Sequence, residues 1–210
     1  MGMRKVIATT SVALTAALVL AGCAADMEST NVEETQASAP TSETLNDSVD
    51  DQEAENLEIT TPDGVVEGTD AYLLWEALMG SDGEYAALAS YQAVLDEYGQ
   101  VEPYATIMAA EARHADALIR QLDRLGIDAP ENPYLGLIAA PADLETAAEA
   151  WAEGEILNVE LYDQLIADAE SEQVIKVFNN LRSASLDSHL PAFELAAENG
   201  GVLTEEQMRN

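Results

Sequence analysis

The chain has only two histidines among 40 acidic residues, and both fall where apolar side chains belong. Ile107, Glu111, His114, Leu118, Leu122 and Leu125 follow one another in steps of four and three, the spacing that lines up one face of a helix. Glu111 and His114 interrupt that face as a Glu-x-x-His pair, which can direct a carboxylate and an imidazole at one metal ion. His189 interrupts a second stripe, Phe178, Leu181 or Arg182, Ser185, His189, Ala192. Glu84 heads a third, with Leu88, Tyr91, Leu95 and Tyr98. Glu155 lies inside a fourth, with Leu144, Ala148, Trp151, Asn158, Tyr162 and Ile166.

A buried carboxylate without a partner is costly. Three of them beside two imidazoles, with almost no Lys or Arg nearby, ask for a cation. The expected ligands are therefore Glu84, Glu111, His114, Glu155 and His189, with iron, manganese or zinc as the candidate ion. Each has a plainer reading. Glu84 lies near a helix start, where acids are favoured anyway. His189 fits a core histidine bonded to a carbonyl, and Glu111 with His114 fits a surface pair if the stripe is rotated. Tyr91 and Tyr162 are either hydroxyl donors to the ligands or core residues, and the core role is the plainer one.

An internal repeat supports the joint reading. Gly83-Glu84 is followed by Tyr91 seven residues after the Glu, and Gly154-Glu155 by Tyr162 at the same distance. The elements that must carry these residues are helical, since no strand-like alternation of any length is present. The first is expected to end near Tyr98, with a turn at Gly80–Gly83. The second starts near Pro103 and ends before Gly126. The third runs from about Pro141 to Ala169. The fourth follows Ser171, a reasonable N-cap, ends near Gly200, and should kink at Pro191. Short connections make the first pair and the last pair antiparallel hairpins. The segment 126–140, with Pro130 and Pro133, reaches about 50 Å if extended, enough to cross a whole bundle. The expected class is thus all-α, a ferritin-like four-helix bundle of two antiparallel hairpins joined by a long crossover.

The ends carry different information. Arg4 and Lys5, the apolar stretch to Leu20, and Leu20-Ala21-Gly22-Cys23 look like a lipoprotein export signal over residues 1–22, with Cys23 as the lipidated residue. One cysteine excludes an internal disulfide, and its acylation excludes thiol chemistry. The expected place is the extracytoplasmic face of a cell membrane. Residues 23–68 are acidic, contain no Lys or Arg, and are poor in large apolar side chains, the composition of a disordered tether. The helical domain is expected over 69–200 and a tail over 201–210. A formal net charge of −32 disfavours nucleic acid as a partner. No Gly-rich phosphate loop and no evident Ser-His-Asp arrangement is present. A homo-oligomer is compatible with the sequence.

Residues 70–198 resemble a bacterial ferritin-like family catalogued as domain of unknown function 2202. The resemblance rests on four segments: Glu84 to Tyr91; Tyr104 to Ile107 leading into Glu111 and His114; Glu155 to Asp163; and Ser185 followed by His189 to Phe193. It implies a four-helix bundle with a metal site and no known reaction. One departure matters. A full di-iron bundle repeats Glu-x-x-His, yet Leu186 stands three before His189 and Ser185 four before it, while Asp187 is a poor substitute. The missing carboxylate predicts closer to one metal than two. The expectation is a membrane-anchored metal-binding lipoprotein. The competing one is a non-catalytic envelope protein that uses the bundle to bind a protein partner.

Overall fold

Helix boundaries follow local chemistry closely. Thr69 caps α1 (Asp70–Met79) by accepting the Tyr72 N–H. A tight turn then leads into α2 (Glu84–Tyr98), which starts after Gly83. A Cβ at Gly83 would lie 2.7 Å from the Ala77 carbonyl oxygen, so this turn tolerates no side chain there. Pro103 sits at the N-cap of α3 (Tyr104–Arg124), where its missing N–H costs no helical bond. Asp143 caps α4 (Leu144–Asp168) by accepting the Thr146 N–H at 2.8 Å. Ser171 is at the N-cap of α5 (Glu172–Ala184), but its side chain makes no capping bond. The computed structural model describes residues 59–209. The expected export signal, Cys23 and most of the acidic segment lie outside the described residues, as does Asn210.

The expected kink near Pro191 takes a specific form. The chain widens into a π-helical turn over Ser185–His189, closed by the Leu190 N–H on the Ser185 carbonyl, before α6 (Leu190–Glu198). A proline clashes with the carbonyl four residues back, here that of Asp187. A widened turn accommodates this without ending the helix.

The result is an all-helical bundle. Among the described residues the only β pairing is an isolated bridge between Glu102 and Leu203. α2 packs on α3, and α4 packs on α5 and α6. The link from α3 to α4 runs along α2. Near its beginning Pro130 accepts the Tyr85 hydroxyl, and Asn132 donates to the Tyr85 carbonyl. Near its end Pro141 accepts the Tyr98 hydroxyl. It is irregular rather than fully extended, with a turn over residues 133–137. Tyr134 anchors that turn by donating to the Met79 carbonyl.

The packed chain is longer at both ends than residues 69–200. Ile59 and Val65 lie against the core. At the other end Leu203 is buried, and its N–H donates to Glu102. Gly201 comes so close to α4 that a Cβ there would sit 2.0 Å from the Leu144 carbonyl carbon, and its φ is +87°. Leu125 departs from its expected stripe. The helix stops at Arg124, and Leu125 is 52% exposed.

The apolar interior falls into two compartments. One gathers Leu74, Leu78, Leu118, Leu122, Phe178 and Leu181. The other gathers Tyr91, Tyr104, Ile107, Ala148, Phe193 and Leu203. On α3, Glu111 falls between Ile107 of one and Leu118 of the other. On α4, Glu155 falls between Ala148 and Tyr162, and His189 falls between Leu181 and Phe193. A layer of polar side chains therefore divides the core.

Candidate metal centre

That layer contains all five residues expected from the sequence. Glu84, the first residue of α2, is 1% exposed, and Glu111, Glu155 and His189 are 4% exposed each. His114 is partly exposed. The plainer readings of these residues do not hold. Glu84 is at a helix start but turned inward, Glu111 with His114 is not a surface pair, and His189 faces carboxylates.

Glu111 is the centre of the arrangement. Its Oε2 lies 2.6 Å from His114 Nδ1 and its Oε1 lies 2.9 Å from His189 Nδ1. Each histidine also approaches a second carboxylate. His114 Nδ1 is 3.8 Å from Glu84 Oε2, and His189 Nδ1 is 3.4 Å from Glu155 Oε1. The imidazole rings are stacked with centroids 5.5 Å apart. Two donor groups thus share Glu111: Glu84, Glu111 and His114 form one, and Glu111, Glu155 and His189 the other, each able to hold a metal ion.

Two tyrosines complete the pattern by exchange between the helices. Tyr91 of α2 donates its hydroxyl to Glu155 of α4 at 3.0 Å. Tyr162 of α4 donates its hydroxyl to Glu84 of α2. The two tyrosines take both roles at once, each buried in an apolar cluster with its hydroxyl donated to a carboxylate. The repeat in the sequence encodes this exchange through its Glu-to-Tyr spacing. Its glycines do not match in role: Gly83 is sterically required at a turn, whereas a Cβ on Gly154, inside α4, would meet nothing.

The tyrosines leave one oxygen of each outer carboxylate free. Among the described residues, Glu84 Oε2, Glu155 Oε2 and His189 Nδ1 are buried without a hydrogen-bond partner. His189 Nδ1 lies close to Glu111 and Glu155 without forming a regular hydrogen bond to either. Orphaned buried donor atoms are rare and costly in folded proteins. The distances of His189 Nδ1 from Glu111 Oε1 and Glu155 Oε1, 2.9 Å and 3.4 Å, fit coordination, since nitrogen and oxygen ligands at 2.0–2.2 Å from one ion lie about 2.8–3.6 Å apart for right-angle to tetrahedral geometry.

Charge and burial set the protonation of the metal-free site. Burial, then repulsion from Glu111, raise the Glu84 pKa well above the usual carboxylate range. Burial opposes ionisation of Glu111 as well, but its contacts with His114 and His189 prevail and hold its carboxyl low. Burial would lower the pKa of His189, yet the facing Glu111 and Glu155 outweigh it and push the group up to about 9. Burial and then the neighbouring carboxylates raise both the Tyr91 and the Tyr162 hydroxyls. The ion pairs to the site carboxylates among the described residues come from the two histidines. Arg182, an alternative for the fourth stripe, instead forms a two-pronged pair with Asp163, with contacts of 2.6 Å and 3.0 Å.

Leu186 is 40% exposed and points away from the core. Ser185, which lies in the stripe expected from the sequence, is the residue that faces inward. Ser185 is buried and donates to Asn158 Oδ1 at 3.1 Å. Sequence reasoning placed both residues in their stripes but assigned neither a role. The signal that was present is the proline two residues after a histidine in an otherwise helical run.

These features define a helical bundle with a buried carboxylate–histidine cluster able to hold a metal ion. No protein-family model, curated protein or solved structure matches this chain, so the reading of the site rests on its geometry.

Proposed function

We propose that the folded domain is a ferritin-like bundle that binds transition-metal ions at two seats sharing Glu111. Glu84 and His114 would complete one seat, and Glu155 and His189 the other. The observation that carries this reading is that two groups of donors sharing Glu111 each hold their ligand atoms within 4.8 Å of one another, while Glu84 Oε2, Glu155 Oε2 and His189 Nδ1 are buried without a hydrogen-bond partner. Mixed nitrogen and oxygen donors suit iron, manganese or zinc. A bound metal would supply Lewis acidity or, for iron and manganese, a redox couple. Around it, Tyr91 and Tyr162 hold the outer carboxylates in orientation, and the two apolar compartments flank the layer. Two donor groups favour two ions over the one that the missing carboxylate led us to expect.

The location belongs to the same proposal. Lipidation of Cys23 would hold the chain at the extracytoplasmic membrane surface, with the acidic segment as a spacer. Among the described residues no helix is long and apolar enough to cross a membrane.

Equilibrium dialysis of the mature protein against Fe(II), Mn(II) and Zn(II) tests the metal reading. Wild type should take up close to two ions per chain tightly. Glu111→Ala should lose both seats, and His114→Ala one. Equally weak uptake by all three proteins would replace this reading with the partner-binding scaffold.

A further inference from the structure

The outer face of α3 stands apart from the rest of the surface. Thr106, Ala109, Arg113, Ala117, Arg120 and Arg124 follow one another in steps of three and four, so they form one ridge along the helix. The ridge lies opposite the buried Ile107, Glu111, Leu118 and Leu122. All its residues are exposed except Ala117, which is half-buried. In a chain with 40 acidic residues it contains no Asp or Glu. Of the 8 Lys and Arg residues, Arg4 and Lys5 precede the lipidation motif, and Arg113, Arg120 and Arg124 stand on this ridge.

The fold does not meet these charges. Asp116 and Asp123 are near in sequence but on a neighbouring stripe of the helix. Among the described residues the ion pairs of arginine are Arg182 with Asp163 and Arg209 with Glu205, neither of them on α3. Arg124 donates instead to the neutral Gln121 amide oxygen at 3.0 Å. A solvated face is the plain reading of one exposed arginine. Three on one ridge without an acid, in so acidic a chain, call for an anionic partner.

The chain itself supplies one. Residues 48–58 hold Asp50, Asp51, Glu53, Glu55 and Glu58 and no Lys or Arg. They join the fold next to this helix. Ile59 packs on the compartment that α3 lines with Leu118 and Leu122. A Cβ on Gly64 would lie 3.2 Å from the side chain of Ile127, whose N–H donates to the Leu122 carbonyl at the end of α3. Length suffices, since residues 48–58 reach about 36 Å if extended and the helix from Arg113 to Arg124 spans about 17 Å. Exposed ion pairs are individually weak and screened by salt, but covalent attachment gives the segment an effective concentration in the millimolar range. An anionic membrane is the rival partner, and a net charge of −32 repels it.

We infer that residues 48–58 dock along the Arg113, Arg120 and Arg124 ridge of α3, held there by charge. The spacer between the expected lipid anchor and the bundle is then the stretch before residue 48. The inference is independent of the metal reading.

The test uses the full mature chain carrying Cys23→Ser, with a nitroxide attached at Ala54→Cys as the single labelled thiol. The amide signals of Arg113, Ala117 and Arg120 should lose intensity at about 20 mM salt and regain it at about 0.5 M, where screening acts within roughly 4 Å. Changing Arg113, Arg120 and Arg124 together to Gln should abolish the loss and leave the rest of the amide spectrum in place. Neutralising the segment instead, with Asp50→Asn, Asp51→Asn, Glu53→Gln, Glu55→Gln and Glu58→Gln, should abolish it too, and that variant decides the matter if the arginine variant fails to fold. No intensity loss on α3 at low salt overturns the inference, as does a loss that persists in both variants. Broadening of the ridge amides that appears only on adding phosphatidylglycerol vesicles also overturns it and assigns the ridge to a membrane surface.

Discussion

His189 provides a direct measure of how far the metal-free site is held together by charge. Its pKa lies at about 9 in the folded chain against 6.5 for a free histidine. A group raised on folding stabilises the folded state fully below its unfolded pKa, and that contribution is lost as pH climbs through the folded value. At 1.36 kcal/mol per unit, the loss between pH 6.5 and 9 is about 3 kcal/mol. Glu84 acts in the same direction, because an acid raised on folding also loses its contribution as it ionises. For a chain of this size the melting temperature should fall by roughly 6–12 °C across the window. Few other groups titrate there, since the chain has two histidines and one cysteine. The assay is calorimetry of chelator-treated protein at several pH values, with His189→Gln as the control. The metal-loaded protein should show the opposite trend, because metal ligands must be deprotonated and binding strengthens with pH. A wild-type melting temperature constant within about 2 °C over the window, or a slope unchanged in His189→Gln, would refute the assignment of His189 as the charged partner of Glu111 and Glu155.

Further outcomes are expected from the geometry and from the sequence. Tyr91→Phe and Tyr162→Phe should each weaken metal binding by about 10–100-fold, as loss of a group orienting a ligand does, with little change in helix content by circular dichroism. Gly201→Ala should destabilise the fold by on the order of 3 kcal/mol, since its Cβ has no room against Leu144. Gly154→Ala, where a Cβ meets nothing, should instead stabilise it by roughly 0.5–1 kcal/mol, and urea denaturation compares the two. Cys23→Ala should move the protein out of the membrane fraction, read by fractionation and immunoblot, and unchanged retention would remove lipidation from the proposal.

The sequence revealed the site more fully than it revealed the scaffold around it. Polar residues inside apolar stripes have few alternatives to burial, so Glu84, Glu111, Glu155 and His189 could be placed inside from spacing alone. Tyr91 and Tyr162 were harder, because a tyrosine in an apolar stripe packs equally well with or without a partner for its hydroxyl. The register around His189 was beyond a regular 3.6-residue period. Ser185 and His189 could be put on one stripe from spacing, but the widened turn that seats them is recorded only in the backbone. Leu125 was misplaced because a stripe does not mark where the helix stops. The docking of Ile59, Val65 and Leu203 depends on contacts between distant segments, to which local composition is blind.

The division of the core by a polar layer bears on how the molecule opens. In most small domains one continuous apolar interior ties all elements into a single cooperative unit. Here the Leu74–Phe178 half and the Tyr91–Phe193 half meet across a polar layer that, without metal, is joined by His189 and two tyrosine hydroxyls on the carboxylates instead of by apolar packing. Without metal, each half has its own apolar reason to stay closed, and the tie between them weakens as pH climbs through the titration of His189. Amide protons at Leu122 and at Ile107, on one helix but in different halves, should then exchange through separate openings. Ions held by ligands from α2, α3, α4 and the turn before α6 would join the halves, so that a single event exposes both.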